Sequence, residues 1–514
     1  MESARTDGLT KGREIPTITR MPERDTREQM SDRGSDAESG GTQFTVDGPK
    51  TTNGKQRTEE RDRYRTFLIV WFGQLVSLVG SSLTWFGLSV WVFLDTGSVT
   101  DLSLMLLASN LPRVLLSPVA GALVDRWDRR WVMILSDGAS GLGTIVIALA
   151  FFTDSMSLGV LIVVGAVSSA FQAFQWPAYQ AATTLLVPKE RYSQASGMVS
   201  MAEALGQLVA PFLGGVLIAV GGVATLLVVD AVTFTFAIGT LLVVRFPKPP
   251  KSKVGEESEG SLWQESLFGF RYVWHRHGLF ALLLFFAGVN LTFGFISPIF
   301  VAYMLSFTSP ATMGTLLSLG ATGMLVGSIV ASAWKGTSRR VLGIIVSTVI
   351  LGIMLVVIGA STWFVSIVVA LWLGMSVMPL AQAMSQSIWL AKVEPDVQGR
   401  VFSVRSMIAS GTGPIALALA GPLADRVFIP LMTGDSDLGV ALQSWFGFGE
   451  VAAYGLFFVA IGVYTVIMAM LSWLYRPLRN LERDVPDADE LPVPVEAGDA
   501  RSQEDDVAQD SVSG

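Results

Sequence analysis

The sequence predicts an all-α polytopic membrane protein, with twelve transmembrane helices arranged as two six-helix bundles. Three observations predict it. Twelve long apolar runs follow one another between residues 66 and 475, and each is long enough for a bilayer, which takes roughly 20 residues of helix. Charged residues make up 15% of the chain against 51% hydrophobic, where a soluble domain carries about 25% charged residues. The longest polar interruption, Pro247 to His277, falls after the sixth run and divides the twelve evenly. Backbone groups cannot stay unpaired in lipid, so each run is expected to be a helix.

Taken in order, the chain opens with 65 residues that hold 13 basic and 13 acidic side chains and lack the apolar core of a signal peptide. They read as a disordered cytoplasmic tail, and the first span as an uncleaved insertion signal. The N-terminal bundle is expected over 66–245, with runs at 66–94, 102–123, 131–152, 158–186, 198–220 and 223–245. A cytoplasmic linker follows at 246–277. The C-terminal bundle is expected over 278–475, with runs at 278–305, 311–333, 341–360, 363–391, 401–424 and 451–475. The last segment, 476–514, carries 4 basic and 11 acidic residues and reads as a disordered acidic cytoplasmic tail. An acidic end of this kind is a solvated segment and gives no reason to expect a nucleic-acid partner.

Orientation follows from the basic residues, which stay on the cytoplasmic side. With the N-terminus inside, the inner loops hold 17 of them, Arg126, Arg129, Arg130, Lys335, Arg339, Arg340, Lys392, Arg400 and Arg405 included, and the outer loops only Arg426. Both termini are therefore expected in the cytoplasm of a cell whose plasma membrane the chain spans. Two related halves are also expected. At an offset of 206 residues, Gln180, Val187, Ser200, Met201, Gly215 and Leu217 fall on Gln386, Val393, Ser406, Met407, Gly421 and Leu423. Six identities between apolar helices are modest alone, but with the six-plus-six layout they suggest the internal repeats of many transporters.

Composition excludes much chemistry. There is no cysteine, hence no disulfide or thiolate metal site, and the only histidines are His275 and His277. No residue pattern G-x4-G-K-[ST] for ATP phosphates is present. No His-x4-Asp pair of the acyltransferase kind is present either: Phe280 and Leu282 stand five residues after the two histidines. An enzyme, a metal and a cofactor are not expected. Any pumping would draw on an ion gradient, and protons are the expected coupling partner.

The charged turn between the second and third runs reads Gly121-Ala-Leu-Val-Asp125-Arg126-Trp-Asp128-Arg129-Arg130. The spacing G-x-x-x-D-R-x-x-R-R resembles the signature loop of the major facilitator superfamily, which joins transmembrane helices 2 and 3. Asp128 stands where that family usually has glycine. The flanks, Leu111-Pro112-Arg113 and Ser136-Asp137, resemble the drug-export branch that includes macrolide-efflux and siderophore (enterobactin) exporters. The resemblance covers roughly residues 66 to 476 and implies the major facilitator fold, a functional monomer and alternating access. It also implies a cytoplasmic gate built from Gly121, Asp125, Arg126, Arg129, Arg130 and Asp137. Asp125 would meet the N-terminal end of helix 11 near Val401 to Arg405, with Arg129 or Arg130 holding the Asp125 and Asp137 carboxylates. The plainer reading is that the basic residues only enforce topology.

The fifth run contains Gly206-Gln-Leu-Val-Ala210-Pro211-Phe-Leu-Gly214-Gly215. Small residues at helical spacing admit a neighbouring helix, and the proline removes one backbone hydrogen bond. Ordinary glycine-rich packing accounts for it; it also resembles the superfamily's antiporter motif through Gly206, Pro211, Gly214 and Gly215, which favours export. The fourth helix lacks the arginine of the other drug-exporter motif.

Charges within the runs cost roughly 2.5–3.5 kcal/mol each near the bilayer centre. Arg113, Asp137, Glu203 and Asp230 are such charges. Glu203, Asp230 and Arg113 are the coupling candidates, Glu203 first because it shares a helical face with Gln207, Ala210 and Gly214. A structural ion pair or snorkelling to the interface is the bland account; for Arg113, the candidate partner is Asp137. Gln172, Gln175 and Tyr179 share one face of the fourth run, and Met378, Gln382, Gln386 and Trp389 one face of the tenth. With Gln74 and Asn290 they are candidates for a substrate cavity, against a role in interhelical hydrogen bonding. Uncharged amides and aromatics suit an amphiphilic solute. The expected function is proton-coupled export of a drug-like or siderophore-like small molecule; an importer or exchanger of a small metabolite on the same fold is the alternative.

Overall fold

A computed structural model describes residues 52–188, 191–244, 246, 270–334, 337, 339–394 and 397–487. The linker residues 247–269 and the segments 1–51 and 488–514 lie outside the described residues. All elements described are helical. The first half comprises α1 (Thr52–Thr96), α2 (Val99–Ala108), α3 (Leu111–Arg126), α4 (Arg129–Phe152), α5 (Leu158–Leu186) and α6 (Tyr192–Val243). The second comprises α7 (His277–Leu305), α8 (Pro310–Ala333), α9 (Arg340–Gly359), α10 (Phe364–Lys392), α11 (Gln398–Leu423), α12 (Ile429–Thr433), α13 (Asp437–Phe446) and α14 (Glu450–Leu474). Short helices α15 (Arg476–Arg479) and α16 (Leu481–Asp484) follow.

Among the described residues, 11 helical stretches are long and apolar enough to cross a membrane. One of them, Gln194–Val243, has 50 residues, about 75 Å of helix at 1.5 Å per residue against a hydrocarbon core of about 30 Å. Gly222 interrupts it with φ 69° and ψ −175°, a conformation that suits glycine. The break falls in the gap between the fifth and sixth apolar runs, so α6 supplies two crossings and the total is twelve.

Local chemistry sets the other boundaries. Ser98, Asp128, Ser157 and Ser309 cap the N-termini of α2, α4, α5 and α8, each side chain accepting from a backbone N–H of the first turn. Asp128, the departure from the expected glycine, thus starts the third crossing. The second crossing is broken at Ser109–Asn110, just before Pro112. There the Ser109 hydroxyl and the Asn110 amide donate to the Met105 and Leu106 carbonyls at 2.8 and 2.9 Å. Helix α1 starts at Thr52, upstream of the apolar run at 66. Helices α15 and α16 stand inside the expected acidic tail. Leu478 and Leu481 are buried there, and Lys392 Nζ donates to the Glu482 carbonyl at 2.9 Å and pairs with Asp487 at 2.8 Å.

The two halves meet at the end that the basic residues assign to the outside. Gly421 in α11 lies against the Thr100 backbone of α2. A Cβ on Gly215 in α6 would stand 2.8 Å from Ala311 Cα at the start of α8. Ser318 of α8 donates to the Leu208 carbonyl at 2.6 Å. Phe93 of α1 and Tyr454 of α14 meet edge to face at 6.3 Å in a shared apolar cluster. Contact between α3 and α11 is slight.

Candidate functional site

Helices α7, α10 and α11 enclose a cavity of about 370 Å³. It lies in the half of the bundle away from the sealed end, between residues 282–293, 378–389 and 402–410. Asn290, Gln382, Gln386 and Trp389, four of the expected cavity residues, line it with Met378. The spacing of the α10 residues explains this, since positions three and four apart share a face. Arg405 of α11 also faces in. Its Nη1 donates to Gln386 Oε1 at 2.8 Å, and its guanidinium carbon lies 5.3 Å from the centre of the Trp389 ring. The Asn290 amide donates to the Phe286 carbonyl at 2.9 Å, while Gln382 is exposed and shows no protein partner.

The polar residues of the first half arrange differently. Asp137 on α4 is 5% exposed. Its Oδ2 accepts from Gln74 Nε2 of α1 at 2.8 Å and its Oδ1 from Gln175 Nε2 of α5 at 2.9 Å. Gln175 also donates to Gln74 Oε1 at 3.0 Å, and its own Oε1 is buried without a partner. Gln74 and Gln175 therefore hold a carboxylate and do not line the α7–α10–α11 cavity. Arg113 is not the partner of Asp137: it is exposed just after the α2–α3 break, and its Nη2 reaches Asn110 Oδ1 at 3.4 Å. Tyr179 packs into an apolar cluster with Val70, Val124 and Met133.

Asp230 on α6 is 1% exposed. It accepts from Thr144 at 3.0 Å and from Ser81 and Thr233 at 3.4 Å. Gln172 joins it beside a small void of about 30 Å³, room for a water molecule or two. Glu203 is exposed and shows no side-chain hydrogen bond. The two buried acids of this half are thus held by neutral donors alone.

In the charged loop, the side chain of Asp125 lies outside the described residues. Arg126 is exposed and Arg129 half-buried. Arg130 does not hold Asp137: its Nε and Nη2 donate to the Leu241 and Leu242 carbonyls at 2.8 and 2.7 Å, satisfying the C-terminal end of α6. Gly121 faces open space, so no neighbour in this conformation demands glycine there. The α6 motif has close neighbours throughout: Gly206 faces Ser82 and Leu78, Gly214 faces Phe86, and Gly314 of α8 lies against the Pro211 carbonyl.

Two residues escaped the sequence reading. Arg405 counts in the sequence only as an inner-side charge at the start of the run 401–424, and its turn into the cavity shows only once Gln386 and Trp389 are placed beside it; a signal existed, since it falls on Val199 at the repeat offset and has no charged counterpart. The second, Asp425, sits in a π-helical turn, Ala424–Phe428, that continues α11. Its carboxylate accepts from the Val99 and Thr100 backbone N–H groups at 3.3 and 2.8 Å and from the Ser98 hydroxyl at 3.2 Å. No pattern around Asp425 announces a contact 326 residues away. No group of three or more His, Asp or Glu side chains suited to a metal ion occurs among the described residues.

A family model for the Major Facilitator Superfamily matches residues 70–418. Macrolide efflux protein A of Streptococcus pyogenes is 28% identical over 370 residues, covering 70% of this chain and 90% of that one. The enterobactin exporter EntS of Citrobacter koseri is 29% identical over 188 residues, 36% of this chain and 45% of that one. Among solved structures, a bacterial homologue of the human lysosomal transporter Spinster, inward-facing and unoccupied, superposes with a TM-score of 0.62 at 14% identity, covering 82% of this chain and 97% of that one. At that identity the likeness speaks for the fold alone.

Proposed function

Since the chain belongs to the major facilitator superfamily, we propose that this membrane transporter is a proton-driven exporter of amphiphilic small molecules. The observation that carries the reading is the placement of the cavity. It lies in the half of the second bundle away from the end where Gly421, Gly215 and Asp425 hold the two halves together, the end that the basic residues assign to the outside. A solute would therefore enter from the cytoplasmic side, and breaking the outer contacts would release it. Amides with free polar atoms beside aromatic walls suit a solute that is partly apolar and partly polar. The similarity to a macrolide efflux protein and to an enterobactin exporter supports a drug-like or siderophore-like solute.

Coupling rests on Asp137 and Asp230. Each is buried with no cation in contact among the described residues, so gaining a proton breaks no ion pair there. A protonated Asp137 would need an acceptor, and the orphaned Gln175 Oε1 stands on the same side chain that now donates to it. Both protonation states thus find partners in one cluster after an amide rotation. The test is uptake of a fluorescent amphiphile into inverted membrane vesicles. Accumulation should follow an imposed proton gradient and stop when a protonophore collapses it. Accumulation that ignores the gradient would defeat the reading.

A further inference from the structure

We propose that the cavity between α7, α10 and α11 takes an acidic amphiphile, a monoanion such as a carboxylate on an aromatic body, with Arg405 as its counter-ion. This rests on the reading of that cavity as the solute site. A guanidinium carries five N–H donors and no acceptor. Arg405 spends one on Gln386 Oε1 and lies over Trp389, and among the described residues no carboxylate pairs with it. Three other buried or half-buried cations differ. Arg276 pairs with Glu394 at 3.0 Å, Lys392 with Asp487 at 2.8 Å, and Arg130 is spent on two carbonyls.

An arginine that served only to orient the helix would extend its head toward water or headgroups. Arg405 instead turns across α10 into the cavity. Arg405 is half-buried, and a charge withdrawn from water is tolerated when a partner completes it; among the described residues no carboxylate does so. The planar fork matches a carboxylate through two parallel bonds. Gln386 and Trp389 hold the guanidinium, which lines the cavity with four of its five donors not taken by Gln386. Phe286, Phe293 and Phe402 supply the wall for an aromatic body. A volume near 370 Å³ is at the small end of ligand pockets, about 300–1,000 Å³, and suits a solute of a few rings.

The test uses two probes of one shape, 1-naphthaleneacetate and its neutral primary amide. Binding to the purified full chain in phosphatidylcholine nanodiscs is measured by titration calorimetry. The wild type should bind the acid at least tenfold more tightly than the amide, because a charge-assisted hydrogen bond exceeds a neutral one. Arg405→Gln should erase the preference, and Arg405→Lys should keep part of it, since lysine supplies charge without the fork. The wild-type ratio needs no variant, so a misfolded Arg405→Gln leaves the test intact. No acid preference in the wild type overturns the inference, as does a preference that survives in an Arg405→Gln protein of normal melting temperature. The vesicle assay with the fluorescent amphiphile runs in parallel on inverted membrane vesicles that carry the same proteins. Gradient-driven uptake without an acid preference sinks the anion inference alone; an acid preference without uptake sinks the exporter reading alone.

Discussion

Asp425 is one of several contacts that join the two halves at the end the basic residues assign to the outside, and removing its carboxylate should redistribute the transporter between its two open states. Asp425 accepts from two free N–H groups at the start of α2 and from Ser98, itself the cap of that helix. A helix N-terminus attracts negative charge by about 0.3–1 kcal/mol when exposed and up to about 2 when partly buried. Asp425→Asn keeps an acceptor and loses the charge, a cost of about 1 kcal/mol. Asp425→Ala also loses three acceptor contacts, each worth about 0.5–1.5 kcal/mol net of water. Some of these lie at long distances, so the loss is put at about 2–3 kcal/mol in all. Every 1.4 kcal/mol is tenfold, so the ratio of outer-closed to outer-open molecules should fall about fivefold for Asn and about 30- to 140-fold for Ala. The chain has no cysteine, so a single one at Ser410, which lines the cavity, reports accessibility cleanly. Alkylation of that cysteine by an impermeant maleimide from outside intact cells should speed up in the order wild type, Asn, Ala, and alkylation from the inner side should slow. Equal rates in all three proteins would refute the latch and leave Asp425 a local cap.

Three further outcomes are expected. Gly421→Ala would drive a methyl into the Thr100 backbone; it should raise outside labelling of the Ser410 cysteine, and combining it with Asp425→Ala should give less than the sum, because both act on one contact. Asp137→Asn should stop gradient-driven uptake while leaving solute exchange without a gradient, whereas Glu203→Gln should keep both; loss of coupling in Glu203→Gln alone, read in the vesicle assay, would return the proton to Glu203. Glu394, in the loop after α10, is clasped by the Tyr272 hydroxyl and by Arg276 at 3.0 Å. Burial works against its charge, but those donors and its own backbone N–H outweigh it and hold the carboxyl below the ordinary 4.5. A depressed folded-state value means the clasp is at full strength above pH 4.5 and is lost as the pH falls through the depressed value. Hydrogen-exchange protection at residues 270–276, taken relative to the intrinsic amide rate at each pH, should therefore be high at neutral pH and fall under acid conditions, with Glu394→Gln lowering it at pH 7.

Much of the architecture was legible. The run expected at 158–186 is α5 to the residue, and the gap between 220 and 223 holds the Gly222 break. The repeat was legible in the same way. Its matched glycines, Gly215 and Gly421, do matched work, each meeting the start of a helix in the other half, α8 for one and α2 for the other. The periodic face of α10 was readable as cavity lining because Gln382, Gln386 and Trp389 recur at helical spacing. The corresponding reading of α5 fails for Gln175 and Tyr179. An amide on a helix face serves a solute or a neighbouring carboxylate equally well, and only the approach of α1 and α4 decides that Gln175 bonds Asp137 and Gln74. Tyr179 meets apolar side chains from other helices for the same reason.

By itself the sequence determined that long apolar helices form and roughly where most of them lie, and it supplied an expected orientation to the bilayer; it missed the break between α2 and α3 and the helices α15 and α16. Hydrophobic run length, capping residues and the sidedness of arginine and lysine act locally or against the solvent, so they can be read without knowing what packs on what. The tertiary structure alone decided the partners: Asp137 with two amides rather than Arg113, Arg130 with the end of α6 rather than Asp137, Arg405 inside the cavity, and Asp425 on α2. Each is set by the rotation of a helix about its axis and by close approach between segments far apart in the chain. Those follow from how small and large side chains interlock across all the helices together.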